Sequence, residues 1–386
     1  MRKEETMKIG VFGGDLFWSS CPYECLNVYE DVSSRFEADY ILFRGDIRLN
    51  KKFSGYEAFF FEKEKFTNCP NLRVIDTWAD FYKISSEYDA ILCRCKVAPK
   101  TRFPEEMKKN SKCPIISWDV GGLDILTWEA RHSTHFLVKG KKWLDYITQV
   151  KPESHNRSQI GRCPQYDPYY RRDLKHGLPI SRERFFKKYN LDQNRPVLLV
   201  APSNPGSHTE QFNENLTMLE EIIKNGSDRS YQIIVKTYPH DYVFHEEQLP
   251  YSGIYKRMYT NRPQYDFLRD KFPEISIIES QDHYSAVIES NKIFNMSGSS
   301  IAWETFFTNS ISYSINFKNK PYYKNVKYLP KNVTFPDDIF NIDMKDTEEI
   351  YLESFSTRKE KAIDFFTKDE NDNIANKIER ILNEQI

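Results

Sequence analysis

The sequence predicts an α/β protein of two doubly wound domains facing each other across a cleft. Three observations predict it. Short apolar runs of four to six residues alternate with helix-like periodicity through both halves of the chain. The runs are apolar throughout rather than alternating, as in strands covered by helices on both faces. Between the two series lies "RCPQYDPYYRRDLKHGLPISRERF" (162–185), rich in proline and without a period, which reads as a hinge.

The strand candidates of the first half are 8–14, 40–44, 72–75, 90–94, 114–119 and 135–139. Those of the second half are 197–201, 232–236, 275–278, 292–296 and 311–315. Residues 209–224 place Phe212, Leu216, Leu219 and Ile223 on one helical face, and Asn225-Gly226 reads as its end. Residues 282–290 and 301–308 read as shorter helices. Repeated strand–helix alternation gives parallel, Rossmann-like sheets. The expected domains are 1–170 and 171–346, followed by a charged helical tail, 347–386. In that tail Ile363, Phe366, Ile374, Ile378 and Leu382 form an apolar set able to dock on either domain.

Composition removes several function classes. The net charge of −1 gives no whole-chain field for nucleic acid, so electrostatic function must be local. No run reaches the ~18 apolar residues of a membrane span, and "MRKEETMKIGVFGG" has no signal-peptide core. A cytoplasmic protein is expected. The 7 cysteines make no CxxC pair, so they read as reduced, mostly buried thiols rather than zinc ligands. Neither an HExxH nor a Walker loop is present, and no Asp-x-Asp ends an apolar strand, so neither metal nor cofactor is expected.

Open parallel sheets bind ligands beyond the carboxyl ends of their strands, and several polar loops fall there. In the second half "APSNPGSHTEQ" (201–211) offers Ser203, Asn204, Gly206, Ser207 and Thr209. "KTYPHD" (236–241) clusters Lys236, Tyr238 and His240 around Pro239. "SGSS" (Ser297, Gly298, Ser299, Ser300) suits phosphate oxygens, though it also reads as a turn with a serine cap. Glu304, one turn further on, can accept two ribose hydroxyls, or can be a solvated helix residue. In the first half Gly13-Gly14 let a ligand approach the backbone, and Asp15 is a candidate general base. Asp119, beside a second Gly-Gly turn, is the other candidate base. His132 and His135 follow it, and isolated histidines are more often structural.

The order "LLVAPSN" (198–204), "IIVKTYP" (233–239), Asp282 and "NMSGSS" (295–300) resembles the nucleotide-binding domain of GT-B bacterial surface-polysaccharide transferases. The resemblance is to the group of CDP-glycerol glycerophosphotransferases and CMP-sugar (sialyl- and Kdo-type) transferases, and it covers about 180–320. It implies that Lys236, Ser299 and Ser300 grip a donor nucleotide. The chain departs from the pattern before Pro239, where Tyr238 stands in place of histidine and His240 follows instead. The implied activity is a metal-independent glycosyltransferase using a nucleotide-activated donor of CMP/CDP or UDP type. Its acceptor would be a surface glycan or a lipid-linked molecule. A glycerophosphate or polyol-phosphate transferase and a UDP-sugar 2-epimerase-like enzyme remain open on the same fold. Arg171, Arg172, Lys175, Arg182, Arg184, Lys187 and Lys188, set among Tyr169, Tyr170, Phe185 and Phe186, suggest peripheral contact with an anionic membrane, or else a solvated helix face over a core.

Overall fold

The computed structural model describes residues 7–15, 22–43, 71–75, 77–94, 109–118, 133–161, 163–201, 212–236, 262–278, 282–296, 301–315, 332–333 and 374–383. The chain divides into two compact units. The first takes Met1–Asp167, Asp173–His176 and Glu360–Ile386, and the second takes Pro168–Arg172 and Gly177–Lys359.

In the first unit the strands are β1 (Lys8–Asp15), β2 (Glu37–Phe43), β3 (Leu72–Ile75), β4 (Ala90–Arg94), β5 (Ile115–Trp118), β6 (His135–Val138) and β7 (Ser158–Ile160). They pair in parallel in the order β3-β2-β1-β4-β5-β6-β7. The order reverses between β1 and β4, the switch point of a doubly wound sheet. Helices α1 (Pro22–Ser33), α2 (Trp78–Ile84) and α3 (Lys141–Val150) are the described helices between these strands. A capping box starts α2: the Asp80 amide donates to Thr77 Oγ1 at 3.1 Å, and the Thr77 amide to Asp80 Oδ2 at 2.9 Å. One core packs Phe12, Ile41, Ile75, Phe81, Ile84, Tyr88, Ile91, Cys93, Cys113 and Ile115. The described cysteines Cys25, Cys93, Cys113 and Cys163 are all buried. Burial pushes the Cys113 thiol up to about 11, so it stays protonated and unreactive at neutral pH.

The amino edge of this sheet carries an ionic cluster. Tyr88 donates to the buried Asp39 at 2.8 Å, with Lys8 at 3.4 Å and Arg73 at 3.7 Å from the same carboxylate oxygen. Burial and the hydrogen bond to Asp39 together push the Tyr88 phenol far above its ordinary range.

The second unit begins within α4 (Asp167–Tyr170). It continues through α5 (Arg182–Lys188), β8 (Val197–Ala201), α6 (Phe212–Asp228), β9 (Gln232–Lys236), α7 (Arg262–Lys271), β10 (Ser276–Ile278), α8 (His283–Glu289), β11 (Lys292–Met296), α9 (Ile301–Glu304), β12 (Ile311–Ile315) and β13 (Asn332–Val333). Its strands are also parallel, in the order β10-β9-β8-β11-β12-β13, with the switch between β8 and β11. Every residue of β8 is buried, as a continuous apolar run requires. Leu198, Val200, Ile233 and Val235 pack against Leu219, Ile222 and Ile223 of α6 and Tyr265 and Leu268 of α7.

Helix α6 does not stop at Asn225-Gly226. It runs on to Asp228 and ends with Ser230 at φ 64°, the Tyr231 amide reaching the Gly226 carbonyl and the Ser230 amide the Ser227 carbonyl. This is a Schellman ending with serine in the left-handed position. Gly226 is there for space: a Cβ would sit 2.6 Å from Ile233 Cδ1 and 2.7 Å from Leu198 Cδ2. In an exposed helix Gly→Ala gains about 1 kcal/mol. Here Gly226→Ala should instead destabilise the second unit by about 1–3 kcal/mol through overpacking. A urea titration of the purified variant reads the sign directly.

The aromatic-basic stretch at 169–188 is mostly core and ion pairs. Phe185, Phe186 and Tyr169 are buried. Arg182 bonds Glu289, Lys188 bonds Asp282, and Lys175 bonds Glu30. Arg172, Arg184 and Lys187 remain exposed, and Leu178 is an exposed apolar side chain in the same stretch. Among the described residues no helix is long and apolar enough to cross a membrane.

The C-terminal helix α10 (Ile374–Asn383) returns to the first unit. Its buried Ile374, Ala375, Ile378, Ile381 and Leu382 form one helical stripe. Arg35, just after α1, donates to Asn376 and pairs with Glu379 at 3.4 Å.

Candidate functional site

The second unit aligns its chemistry by strand register. Asn295 of β11 lies level with Ala201 of β8, and Val235 of β9 is level with Val200. Ala201, Lys236 and Met296 therefore close three neighbouring strands at one height, on both sides of the switch point. The loops that carry Ser203 and Asn204, Tyr238 and His240, and Ser297, Gly298, Ser299 and Ser300 start from these ends, and the loops themselves lie outside the described residues.

Two of the sequence candidates at this edge are described. Lys236 ends β9 and is half-buried. Glu304 ends α9 and is only 1% exposed, so it is not a solvated helix residue. Tyr169 Oη donates to Glu304 Oε2, and His283 Nε2 bonds the same oxygen. Among the described residues Oε1 receives no hydrogen bond. Burial favours the neutral acid, but His283, the bonds from His283 and Tyr169, and the charge of Lys236 outweigh it and hold the carboxyl below its ordinary range. The result is a desolvated carboxylate with one oxygen doubly bonded and the other open to a donor. A carboxylate oxygen left open in this way can accept from water or from a ligand hydroxyl.

The supporting side chains are firmly set. The Tyr169 ring stacks on Phe307 at 5.8 Å and 9° between planes, and meets Tyr284 edge-on at 5.3 Å. His283 opens α8 beside Tyr284, its ring 5.2 Å away. Its Nδ1 is buried and has no hydrogen-bond partner among the described residues. The preceding residue, Asp282, accepts from Lys188 Nζ at 2.6 Å and from Tyr189 Oη at 2.5 Å. Together with Arg182–Glu289 and the Ile180 amide on Ser285 Oγ at 2.9 Å, this fastens α5 to α8.

In the first unit Gly13, Gly14 and Asp15 are the last residues of β1 rather than a loop beyond it. The pairing with β2 slips between Phe12 and Asp15, where Asp15 meets Phe43. Such an irregularity bends a strand end and commonly lies beside a binding site. The Asp15 side chain and the whole of Asp119 lie outside the described residues, as does His132. His135 begins β6, at the amino end of its strand, where Nδ1 lies 3.2 Å from Thr134 Oγ1. That end is opposite the carboxyl edge, so His135 is structural. The carboxyl edge holds a carboxylate that sequence patterns did not single out. Glu24, in the first turn of α1, is 2% exposed and accepts from the indole of Trp118, the last residue of β5.

His283 and Tyr169 were likewise not legible as site residues. They lie 21 and 135 residues from Glu304, and no motif spacing links either to it. Tyr169 read instead as part of a surface patch. Among the described residues no three His, Cys, Asp or Glu side chains are grouped to hold a metal ion.

No protein-family model matches the chain, and no curated protein matches it in sequence. Solved structures do resemble it. The wall teichoic acid polymerase TagF superposes with a TM-score of 0.61 at 13% identity, over 98% of this chain and 89% of that one. The UDP-GlcNAc 2-epimerase of Methanocaldococcus jannaschii, in complex with UDP-GlcNAc and UDP, gives 0.60 at 12%, over 98% and 100%. A putative UDP-N-acetylglucosamine 2-epimerase from Listeria monocytogenes gives 0.58 at 10%, over 98% and 96%. At such identity the likeness fixes the fold. It is the GT-B type, a mixed α/β architecture with parallel sheets.

Proposed function

We propose that the chain is an enzyme that binds a nucleotide-activated donor at the carboxyl edge of the second unit. The reading we favour is a metal-independent glycosyltransferase acting on a surface glycan or lipid-linked acceptor. The observation that carries it is Glu304: a buried, ionised carboxylate with an open oxygen, beside the switch point where open sheets take nucleotides. In this reading Oε1 accepts the ribose hydroxyls. Lys236, Tyr238 and His240 line one side, and Ser203, Asn204 and Ser297–Ser300 take the phosphates. Asp15 and Asp119, at the carboxyl ends of β1 and β5, are the candidate bases for the acceptor hydroxyl.

The likeness to TagF and to UDP-GlcNAc 2-epimerases keeps two other chemistries open on the same donor site, glycerophosphate transfer and sugar epimerisation. The test is thermal shift against CMP, CDP, UDP and GDP. A true ligand at 100 times its Kd stabilises the fold by about 2.7 kcal/mol. Ser299→Ala/Ser300→Ala should weaken that ligand by about 1–3 kcal/mol. If none of the four shifts the transition, the donor reading fails. Products formed with and without acceptor then separate transfer from epimerisation.

A further inference from the structure

His283 and Tyr169 are the two groups that fix the carboxylate of Glu304, and neither belongs to any loop of the donor edge. Both bond Oε2, which turns Oε1 away from them. A carboxylate rotates freely about its last bond unless something holds it, and a ligand must then pay the ordering cost itself. Here the cost is met in advance. The Tyr169 ring cannot swing, being clamped between Phe307 and Tyr284. The His283 ring is held at the start of α8. We propose that Tyr169 and His283 are positioning residues that set Glu304 Oε1 to accept the hydroxyls of a ribose, and so make the site select ribonucleotides. The inference rests on the donor-site reading of Glu304 and adds to it the source of the selectivity.

The two residues divide the task. Tyr169 supplies a neutral donor and therefore orientation. His283 supplies both a donor and, when protonated, a charge that keeps Glu304 ionised. The other groups acting on Glu304 are Lys236, from the end of β9, and the Tyr169 phenol. Glu304 should thus remain a competent acceptor to a pH below its ordinary value of 4.5.

The experiment measures the affinity of the full chain for CMP and UDP, each beside its 2′,3′-dideoxy form, in the wild type, Tyr169→Phe, His283→Gln and Glu304→Gln. For the nucleotide that binds, the wild type should prefer the ribose form by about tenfold or more, the weight of one charge-assisted hydrogen bond. Glu304→Gln should bring that ratio close to one. Tyr169→Phe keeps the ring and its stacking, and should lower the ratio severalfold with the dideoxy affinity unchanged. A merely structural tyrosine would weaken both forms alike. His283→Gln keeps a donor near the Nε2 position and removes the charge, so the acid limb of ribonucleotide binding should move to higher pH.

A wild-type ratio in Tyr169→Phe, or an unmoved acid limb in His283→Gln, overturns the positioning inference while the donor reading stands. A ratio unaffected by Glu304→Gln overturns the ribose contact and this inference together. Absence of binding by any of these nucleotides removes the donor reading and the inference with it.

Discussion

His283→Ala should destabilise the second unit by about 2–3 kcal/mol at pH 7, because it strips a buried carboxylate of a hydrogen-bond donor. Glu304 is 1% exposed and cannot rehydrate in place. The Tyr169 phenol and the charge of Lys236 remain, but neither replaces the imidazole on Oε2. The sign of the pH dependence follows from the lowered Glu304 value. A carboxyl depressed in the folded state contributes stability above its unfolded value, here 4.5, and loses it as pH falls through the folded value. In His283→Ala the folded value rises, so that contribution is missing at pH 7. The gap between variant and wild type should therefore narrow as pH falls through the lowered wild-type value, below which Glu304 is neutral in both. Hydrogen exchange of peptides covering 283–289 and 301–307, at pH 7 and over a descending pH series with rates corrected for pH, reads both effects. Equal protection of the two proteins at pH 7 would show that the pair contributes nothing.

Asp282→Ala should cost about 2–4 kcal/mol, the worth of two hydrogen bonds to a buried charge. Asp282 is 8% exposed at its side chain and receives both Lys188 and Tyr189. Lys188, 36% exposed, can turn to water once its partner is gone, but the buried Tyr189 hydroxyl cannot. Asp282→Asn keeps an acceptor for Tyr189 and should lose about half as much. The measurement is limited proteolysis at the α5 segment beside urea denaturation. The alanine variant should be cut faster within 182–195. An order in which asparagine is the worse of the two would mean that the tyrosine bond is not what holds α5 on α8.

Strands were legible where burial on two faces forces continuous apolar sequence. β8, buried along its length, and β9, buried at its centre, fall on the runs at 197–201 and 232–236 without displacement. The bounds of β11 and β12 likewise match 292–296 and 311–315. β7 (Ser158–Ile160) and β13 (Asn332–Val333) were not legible, since three residues and two residues with polar members carry no period. Gly226 misled for a physical reason. Glycine ends helices by its backbone freedom, yet here it serves a close helix–sheet approach, which depends on Leu198 and Ile233 far along the chain. The candidate site divides in the same way. Lys236 and Glu304 were legible because each stands at a strand end or one turn past it. Their partners were not, since a hydrogen bond from Tyr169 to Glu304 leaves no local mark in either segment.

The return of α10 to the first unit bears on the order in which the protein is made. Arg35 and Asn376 are 341 residues apart, yet they bond. During vectorial synthesis α1 emerges early, and the apolar stripe that α10 lays down comes only after the whole second unit. Closing a flexible loop of that length would cost about 5 kcal/mol in chain entropy. A second unit that has already folded shortens the effective loop and cuts that cost. The nascent first unit therefore waits with part of its surface uncovered, exposed to chaperones and to aggregation, until its neighbour is finished. Ribosome-stalled chains ending near residue 360 should carry a protease-resistant second unit and a first unit that is still cleavable.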